Sequence, residues 1–214
     1  EAQILLDLNN PNIVHLFDYF TEGPYHYIVL EFVDGMSLDK LLKKQVMLSP
    51  QASMLIFRDS LRALKFAHDN GVVHRDIKPG NILISRHGDI KLADFGIASS
   101  EREEDDTSLT QSGVTLGTPS YMPPEQFDDS HSVDKRADIY AMGIMLYEMV
   151  TGTKPYAGNF APETIAKIQK GKYIPPEQIN KGIPKVICKL IKKMTRVKAS
   201  KRYQDIEPIL KVVD

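Results

Sequence analysis

The apolar residues of one long segment recur at steps of three and four, which predicts an amphipathic helix with a single buried face. The helix begins after Ser49, a residue type that caps helices, and Pro50 suits the first helical position. It is expected to end before Gly71. The predicted buried stripe consists of Met54, Phe57, Leu61, Leu64 and His68.

Four further segments show helical spacing of their apolar residues. Residues 1–8 form a short one, and another starts near Asp205. Residues 134–150 form a longer helix that Gly152 ends. A fourth amphipathic helix is predicted from the stripe of Ile183, Val186, Leu190 and Met194.

Strands are predicted mainly near the start of the chain. Residues 13–20 and 25–33 are rich in β-branched and aromatic residues, and the turn residues between them indicate a hairpin. Shorter strand-like pieces follow at 72–73, 81–84 and 89–93. The order of elements is therefore some β structure at the front and mostly helix afterwards, an α+β fold class.

Composition and charge exclude several classes of protein. The 214 residues are enough for a sizeable core, and 27 basic residues against 28 acidic ones leave a formal charge of −1. We therefore expect neither nucleic acid nor anionic lipid as a partner. No apolar run reaches the roughly 20 residues of a membrane span, so this segment is not expected to insert into a membrane.

One stretch departs from this charge balance. Nine basic residues and no acidic one lie between Lys181 and Arg202. Because the apolar stripe of the predicted helix is complete there, we interpret these residues as the solvated face of a packed helix rather than as an interaction patch.

Candidate chemistry is concentrated in the segment 74–81, His-Arg-Asp-Ile-Lys-Pro-Gly-Asn, and in the Asp-Phe-Gly sequence 94–96. Asp76 can accept the proton of a substrate hydroxyl, and Lys78 can reach a transferring phosphate. Asn81 and Asp94 offer the hard oxygen ligands that Mg²⁺ prefers. Transfer of a γ-phosphoryl group requires a positioned acceptor, cation ligands and positive charge over the phosphates, and each has a candidate here.

These two motifs resemble the signatures of the protein kinase family. They occur in the family's order, the first after a predicted helix and the second after a predicted strand. The resemblance covers nearly the whole chain, and Lys78 is typical of the serine/threonine class. It implies ATP and Mg²⁺ as cofactors, with Asp76 and Lys78 as catalytic residues and Asn81 and Asp94 as metal ligands. The implied partners are ATP and proteins with Ser or Thr hydroxyls. The pattern is most similar to bacterial members.

The resemblance also assigns the nucleotide's adenine side. Residues 27–33 resemble the fifth strand and the hinge between the two lobes of such kinases, with Leu30 as gatekeeper and the backbone of Glu31 and Val33 facing the adenine. Leu83 corresponds to the apolar residue beneath the adenine ring. Composition alone does not distinguish these positions from an ordinary buried strand and a core leucine.

Residues 94–125 correspond by resemblance to the activation segment, which ends in Gly-Thr-Pro-Ser-Tyr-Met-Pro-Pro-Glu at 117–125. Thr118 is expected near Asp76 and Lys78. The other implied roles are structural, with Glu125 paired to Arg202 and Asp138 holding the backbone of the catalytic loop. His74 and Phe95 belong to the same structural group.

Regulation by phosphorylation is the second implication of this segment. In such kinases a phosphate on the loop pairs with the arginine that precedes the catalytic aspartate, here Arg75. Thr110 and Ser112 are the candidate sites, and dimerisation for autophosphorylation is compatible with the resemblance. A solvated, unmodified loop is the alternative for residues 97–116.

A complete domain of this family begins with a glycine-rich loop and a strand whose lysine grips the nucleotide phosphates and pairs with a helix glutamate. The sequence contains neither element, and the family pattern places the helix glutamate at Glu1. We therefore expect residues 1–33 to be a remnant of the small lobe and residues 34–214 to be the large lobe. The 214 residues alone are expected to have little or no catalytic activity.

Two classes of function remain open at this stage. The first is a cytoplasmic serine/threonine kinase, or the cytosolic part of a longer membrane-tethered one. The alternative is a non-catalytic, kinase-like scaffold that binds partners through its helical lobe. The presence of Asp76, Asn81 and Asp94 together favours the enzyme, because a scaffold has no chemical need for all three.

Overall fold

The first sheet is an antiparallel hairpin near the start of the chain. The computed structural model describes residues 6–95, 119–127, 133–158 and 160–214. Strand β1 (Leu16–Glu22) pairs with β2 (Tyr25–Leu30) through a turn that contains Gly23 at φ +61°. The hairpin prediction is confirmed, but β1 begins three residues later than expected because the backbone of residues 12–14 bonds to Leu92 instead.

The second sheet includes the strand that follows residues 74–81 and has the order β3-β4-β5, all antiparallel. Its strands are β3 (Gly35–Ser37), β4 (Ile82–Ser85) and β5 (Ile90–Leu92). Strand β3 was not predicted. Gly35 is required there, since a Cβ atom at this position would lie 1.9 Å from the carbonyl oxygen of Ile84.

The strand expected at residues 72–73 is absent, and that prediction is wrong. The amide of Val72 donates to the carbonyl of Ala67 at 2.9 Å, so it closes the end of a helix instead of pairing with a strand. Asn81, expected to open a strand, belongs to a short 3₁₀ turn that precedes β4.

Seven helices are found in the described part of the chain. They are α1 (Leu38–Gln45), α2 (Pro50–Asp69), α3 (Arg136–Thr151), α4 (Pro162–Lys170), α5 (Pro176–Ile179), α6 (Lys185–Met194) and α7 (Glu207–Val213). The start of α2 is as predicted, because the Ser49 side chain accepts a hydrogen bond from the amide of Ala52 at 3.2 Å. Most of the helix predicted at residues 1–8 lies outside the described residues.

Helix α3 is the centre of the large core. All but two of its sixteen residues are buried, so it is apolar on nearly every side rather than on the single face expected from the sequence. It approaches α6 closely at Gly143, where a Cβ atom would lie 2.7 Å from the Cβ of Met194. The buried stripe of α6 contains Ile187, whereas Val186, which the sequence placed there, is 46% exposed.

The hairpin differs from the core in leaving apolar side chains open to solvent. Every residue of β2 is exposed, and Phe17 and Phe32 are 60% and 87% exposed. No helix among the described residues is both long and apolar enough to cross a membrane.

Candidate functional site

A buried carboxylate on α3 anchors the loop that carries Asp76. Asp138 lies in the first turn of α3 and is 1% exposed. Its two oxygens accept hydrogen bonds from the backbone amides of His74, at 2.9 Å, and Arg75, at 2.8 Å. The core helix therefore determines the path of the loop just before Asp76.

A third donor completes the shell of Asp138. His68, in the last turn of α2, places its Nε2 atom 2.8 Å from Oδ2 of Asp138, and its side chain is 4% exposed. Buried carboxylates are tolerated where their oxygens are hydrogen-bonded, and three donors meet that need here. Sequence reasoning placed His68 on the buried stripe of its helix but did not identify the partner that a buried imidazole requires.

His74 joins the loop to the end of strand β5. Its Nε2 atom lies 2.9 Å from the carbonyl oxygen of Ala93, and its Nδ1 atom accepts from the amide of Asp76 at 3.3 Å. These two bonds require a neutral ring protonated at Nε2. Burial lowers the pKa of His74, although Asp138 and the Ala93 carbonyl act in the opposite direction. The Phe95 ring packs against it with centroids 4.6 Å apart.

Asp76, Lys78 and Asn81 meet at the end of this loop. Nζ of Lys78 lies 2.5 Å from Oδ2 of Asp76, and the Asn81 amide nitrogen lies 3.1 Å from the same oxygen. The same amide nitrogen donates to the backbone carbonyl of Asp76 at 2.9 Å. Asp76 and Lys78 are partly open to solvent, whereas Asn81 is 3% exposed. A half-exposed carboxylate between two donors can receive a hydroxyl proton from a substrate that approaches from outside.

The donor set suits a hard divalent cation. Both hydrogen bonds of the Asn81 side chain use its nitrogen, which leaves Oδ1 as the atom available to a cation. The Asn81 carbonyl accepts from the amide of Ala93 at 2.9 Å, so Asn81 is tied to the residue that precedes Asp94. Amide and carboxylate oxygens are the ligands that Mg²⁺ takes in small number while it keeps several waters.

Three described residues other than glycine have strained backbones, namely Arg75 and Asp94 in the candidate site and Val46 at the end of α1. Arg75 and Asp94 adopt positive φ values of +64° and +59°, which non-glycine residues seldom do. Such conformations cost about 1–3 kcal/mol each and persist only where surrounding contacts impose them. At Arg75 the contact is the bond from its amide to Asp138. Asp94 is exposed at the end of β5, beyond buried Leu92 and Ala93.

The residues assigned to the adenine side lie on β2, the segment after it and β4. Leu30 ends β2 and is 41% exposed, and Leu83 is partly buried in β4, where it pairs with Lys91 of β5. Lys91 forms an ion pair with Glu31 at 2.8 Å. This bridge between the hinge and the second sheet was not foreseen. Val33 follows two residues after Glu31, and the amide of Val33 donates no hydrogen bond within the described residues. Glu1, predicted to be the helix glutamate that pairs with the phosphate-binding lysine of the family, lies outside those residues.

The Glu31 carboxylate is held firmly in place. Besides Lys91, it accepts from the amide of His15 at 3.1 Å. Although partial burial raises the pKa of Glu31, these two partners leave it below its usual value. The Glu31 side chain is thus bonded within the protein, and the Glu31 amide donates to the carbonyl of His15 at 2.8 Å, which leaves the Glu31 carbonyl for a ligand.

Residues 119–127 form one wall of a cleft beside the catalytic loop. The cleft is lined by Arg75, Asp76 and Lys78 on one side and by Tyr121, Met122 and Pro123 on the other. The Tyr121 hydroxyl donates to Glu148, and burial raises the pKa of that carboxyl group. Tyr121 was not among the predicted site residues.

Glu125 and Arg202 form the ion pair that the resemblance implied, with N···O distances of 2.6 and 2.7 Å. Arg202 is 3% exposed. The remaining predicted residues of this segment, Thr110, Ser112 and Thr118, lie outside the described residues.

Comparison with known proteins identifies the class. A family profile for the protein kinase domain matches residues 1–212. The chain is 38% identical over 211 residues to a probable serine/threonine-protein kinase of Clostridium perfringens, a match that covers 98% of the chain and 30% of the relative. It is 38% identical over 208 residues to the serine/threonine-protein kinase PknB of Mycobacterium leprae, with 95% of the chain and 33% of the relative covered.

The fold is therefore that of a protein kinase domain, with a mostly helical large lobe and part of the small-lobe sheet. The chain belongs to the serine/threonine protein kinase family. It spans about a third of the length of the curated relatives that it matches.

Proposed function

We propose that this chain carries the catalytic loop of an ATP-dependent serine/threonine protein kinase, which transfers the γ-phosphoryl group to protein hydroxyls. The observation that carries the proposal is the cluster of Asp76, Lys78 and Asn81 on a loop anchored to buried Asp138. Phosphoryl transfer depends on positioning and charge more than on covalent chemistry, and this cluster offers both.

Each residue has a separate task in the proposed reaction. The carboxylate of Asp76 orients the substrate hydroxyl and accepts its proton, and its neighbours hold it at a fixed rotamer. The ammonium group of Lys78 exchanges its contact with Asp76 for the phosphoryl oxygens as a substrate arrives. Asn81 and Asp94 would hold Mg²⁺, which neutralises charge on the phosphate oxygens when it is bound. Leu83 and the backbone of the segment after β2 would contact the adenine.

We further infer that residues 1–33 act as part of a small lobe and that the 214 residues alone have little or no phosphotransfer activity. The exposed apolar faces of β1 and β2 support this inference, because a two-stranded hairpin is marginal on its own and is normally covered. The sequence contains no glycine-rich loop to cover the phosphates. The protein is proposed to act in the cytoplasm or as a cytosolic part of a longer protein.

Phosphotransfer from radiolabelled Mg-ATP tests both statements. The 214-residue chain should be assayed alone and fused to the glycine-rich loop and the lysine-bearing strand of a protein kinase small lobe, with a protein rich in Ser and Thr as the acceptor. The fusion is expected to be active, and Asp76→Asn should lower its turnover by roughly 10²–10⁴-fold. Turnover by the chain alone that Asp76→Asn abolishes would contradict the second statement.

Absence of Asp76-dependent turnover in a folded fusion would contradict the first statement and favour a non-catalytic scaffold. The matched control is Asp59→Asn on α2. This substitution also removes one carboxylate, but outside the catalytic loop.

A further inference from the structure

A second cavity, of about 450 Å³, lies in the helical lobe and shares no residue with the catalytic cleft. The end of α4, α5, the last turns of α6 and the segment after α6 form its walls. Five cationic side chains line it, and we refer to it as the basic pocket. They are Lys170, Lys192, Arg196, Lys198 and Lys201.

The cations of the basic pocket have no acidic partner in the part of the chain that the structure describes. None of the five has a carboxylate within 4.0 Å among the described residues, whereas Lys135, for example, pairs with Asp205 at 2.6 Å. Glu177 is the single acidic residue of the lining. Five positive charges around one cavity repel each other, and this repulsion is relieved when an anion enters.

The pocket is preformed rather than loosely assembled. The hydroxyl groups of Tyr173 and Thr195, both in its lining, are hydrogen-bonded to each other at 2.8 Å. The guanidinium of Arg202 donates to the carbonyls of Arg196 and Val197, at 2.7 and 3.0 Å, and so fixes the segment that follows α6. A preformed site loses less conformational entropy when a ligand binds.

We propose that the basic pocket is a docking site for an acidic peptide segment of a partner protein, which revises the interpretation of the basic residues between Lys181 and Arg202 as only a solvated helix face. The walls favour a peptide, because Tyr173, Pro175 and Pro176 offer apolar surface beside the cations and can receive side chains between the carboxylates. A nucleic acid or a membrane surface is disfavoured, since the whole chain has a formal charge of −1 and the cations converge on a cavity instead of spreading along a face.

Binding is tested with a fluorescein-labelled peptide that has the sequence of residues 100–107 and carries five carboxylates. A peptide with Gln and Asn in place of Glu and Asp is the control. Fluorescence anisotropy should give saturable binding of the acidic peptide only, and the affinity should fall as NaCl is raised because exposed charges are screened. The measurement does not require ATP or turnover, so its outcome is independent of the proposed kinase activity.

Two triple variants distinguish binding in the basic pocket from a general effect of positive charge on the protein. Lys192→Ala/Lys198→Ala/Lys201→Ala removes three cations of the lining and is expected to weaken binding roughly tenfold or more. The matched control removes three exposed lysines of the same region that do not line the pocket. It is Lys181→Ala/Lys185→Ala/Lys189→Ala, and it should change the affinity less than about twofold.

Cys188 reports where the peptide binds, because it is the only cysteine of the chain and lies partly exposed in the pocket lining. Bound acidic peptide should slow its alkylation by a maleimide, and the neutral peptide should not. Equal weakening by the two triple variants, absence of saturable binding, or an unchanged rate of Cys188 alkylation under saturating peptide would each overturn the proposal. Thermal unfolding midpoints equal to that of the unmodified chain establish that both variants are folded.

Discussion

Both terminal nitrogens of the Arg202 guanidinium group donate hydrogen bonds to the carboxylate of Glu125, and the remaining N–H groups also have acceptors. Nη1 and Nη2 donate to the two carboxylate oxygens at 2.6 and 2.7 Å. The other three N–H groups donate to the backbone carbonyls of Arg196, Arg136 and Val197. All five donors of the side chain are therefore used, which only a planar guanidinium can achieve.

We predict that Arg202→Lys destabilises the protein by about 2–3 kcal/mol even though the positive charge is kept. Lysine has three donors on one atom, so buried carbonyls and one carboxylate oxygen lose their partners. Urea unfolding of the two proteins measures the difference, and Arg196→Lys, at an exposed side chain, is the control. Equal stability of Arg202→Lys and the unmodified chain would show that the five bonds are dispensable.

Asp138→Asn should lower catalytic turnover more than it raises the KM for ATP. An Asn side chain has an NH₂ group in place of one carboxylate oxygen, so at least one of the three donors that Asp138 now accepts from loses its acceptor, and the loop before Asp76 is held less firmly. Steady-state kinetics of the active fusion separate the two constants. A rise in KM with unchanged turnover would mean that Asp138 contributes to nucleotide binding instead.

The buried His74 should make stability depend on pH below neutrality. Burial lowers the pKa of His74 in the folded chain. Below about pH 6.5 the unfolded chain therefore binds a proton at this residue more readily than the folded chain does. The free energy of unfolding therefore falls as the pH falls, by up to about 1.4 kcal/mol per pH unit for this residue. Asp138, Asp76 and Asp94 oppose the lowering and reduce the effect.

Urea unfolding between pH 5.5 and 7.5 measures this slope. His74→Gln should flatten it, while His87→Gln in an exposed turn should leave it unchanged. NMR of the labelled imidazoles gives a second measurement that does not depend on the variants. The His74 ring is expected to be neutral and protonated at Nε2 at pH 7, and a charged ring there would contradict the assignment.

Asn81→Ala should abolish most of the effect of Mg²⁺ on nucleotide affinity. The substitution removes Oδ1 as a ligand and also frees the Asp76 carboxylate from the donor at 3.1 Å. Calorimetric titration of ADP with and without Mg²⁺ measures the difference, and Asn9→Ala at an exposed residue is the control. An unchanged Mg²⁺ effect would exclude Asn81 as a ligand.

Gly143→Ala should destabilise the protein by about 1–3 kcal/mol, despite the higher helix propensity of alanine. The new methyl group would lie 2.7 Å from the Cβ of Met194 and 3.0 Å from Cγ2 of Thr195, so α3 and α6 must separate. Gly80→Ala, whose Cβ meets nothing closer than 4.0 Å, should be close to neutral. A stabilising effect of Gly143→Ala would show that α3 and α6 can move apart to accept the methyl group.

The sequence was informative where the chemistry and the structure depend on residues that are close together in the chain. The order of Asp76, Lys78 and Asn81 along one loop, and the cap at Ser49, are local patterns, and the structure brings the first three together. The bonds of His68 to Asp138 and of Lys91 to Glu31 were missed because their partners are 70 and 60 positions away.

Other features had little or no sequence signal. Strand β3 has three residues, too few for a periodic pattern. Three of the five bonds of Arg202 end on backbone carbonyls, which every residue possesses, so side-chain identity cannot reveal them. The error at Val186 has a different cause. Val186 and Ile187 are neighbours of similar hydropathy, and only the packing of α6 against α3 decides which one faces inward.

The anchoring of the catalytic loop to α3 has a kinetic consequence for its backbone. The amides of His74 and Arg75 belong to a surface loop, yet their acceptor is a carboxylate on the most deeply buried helix of the lobe. Exchange of these two protons with deuterated solvent therefore requires the lobe to open, and it should proceed as slowly as exchange from the centre of α3.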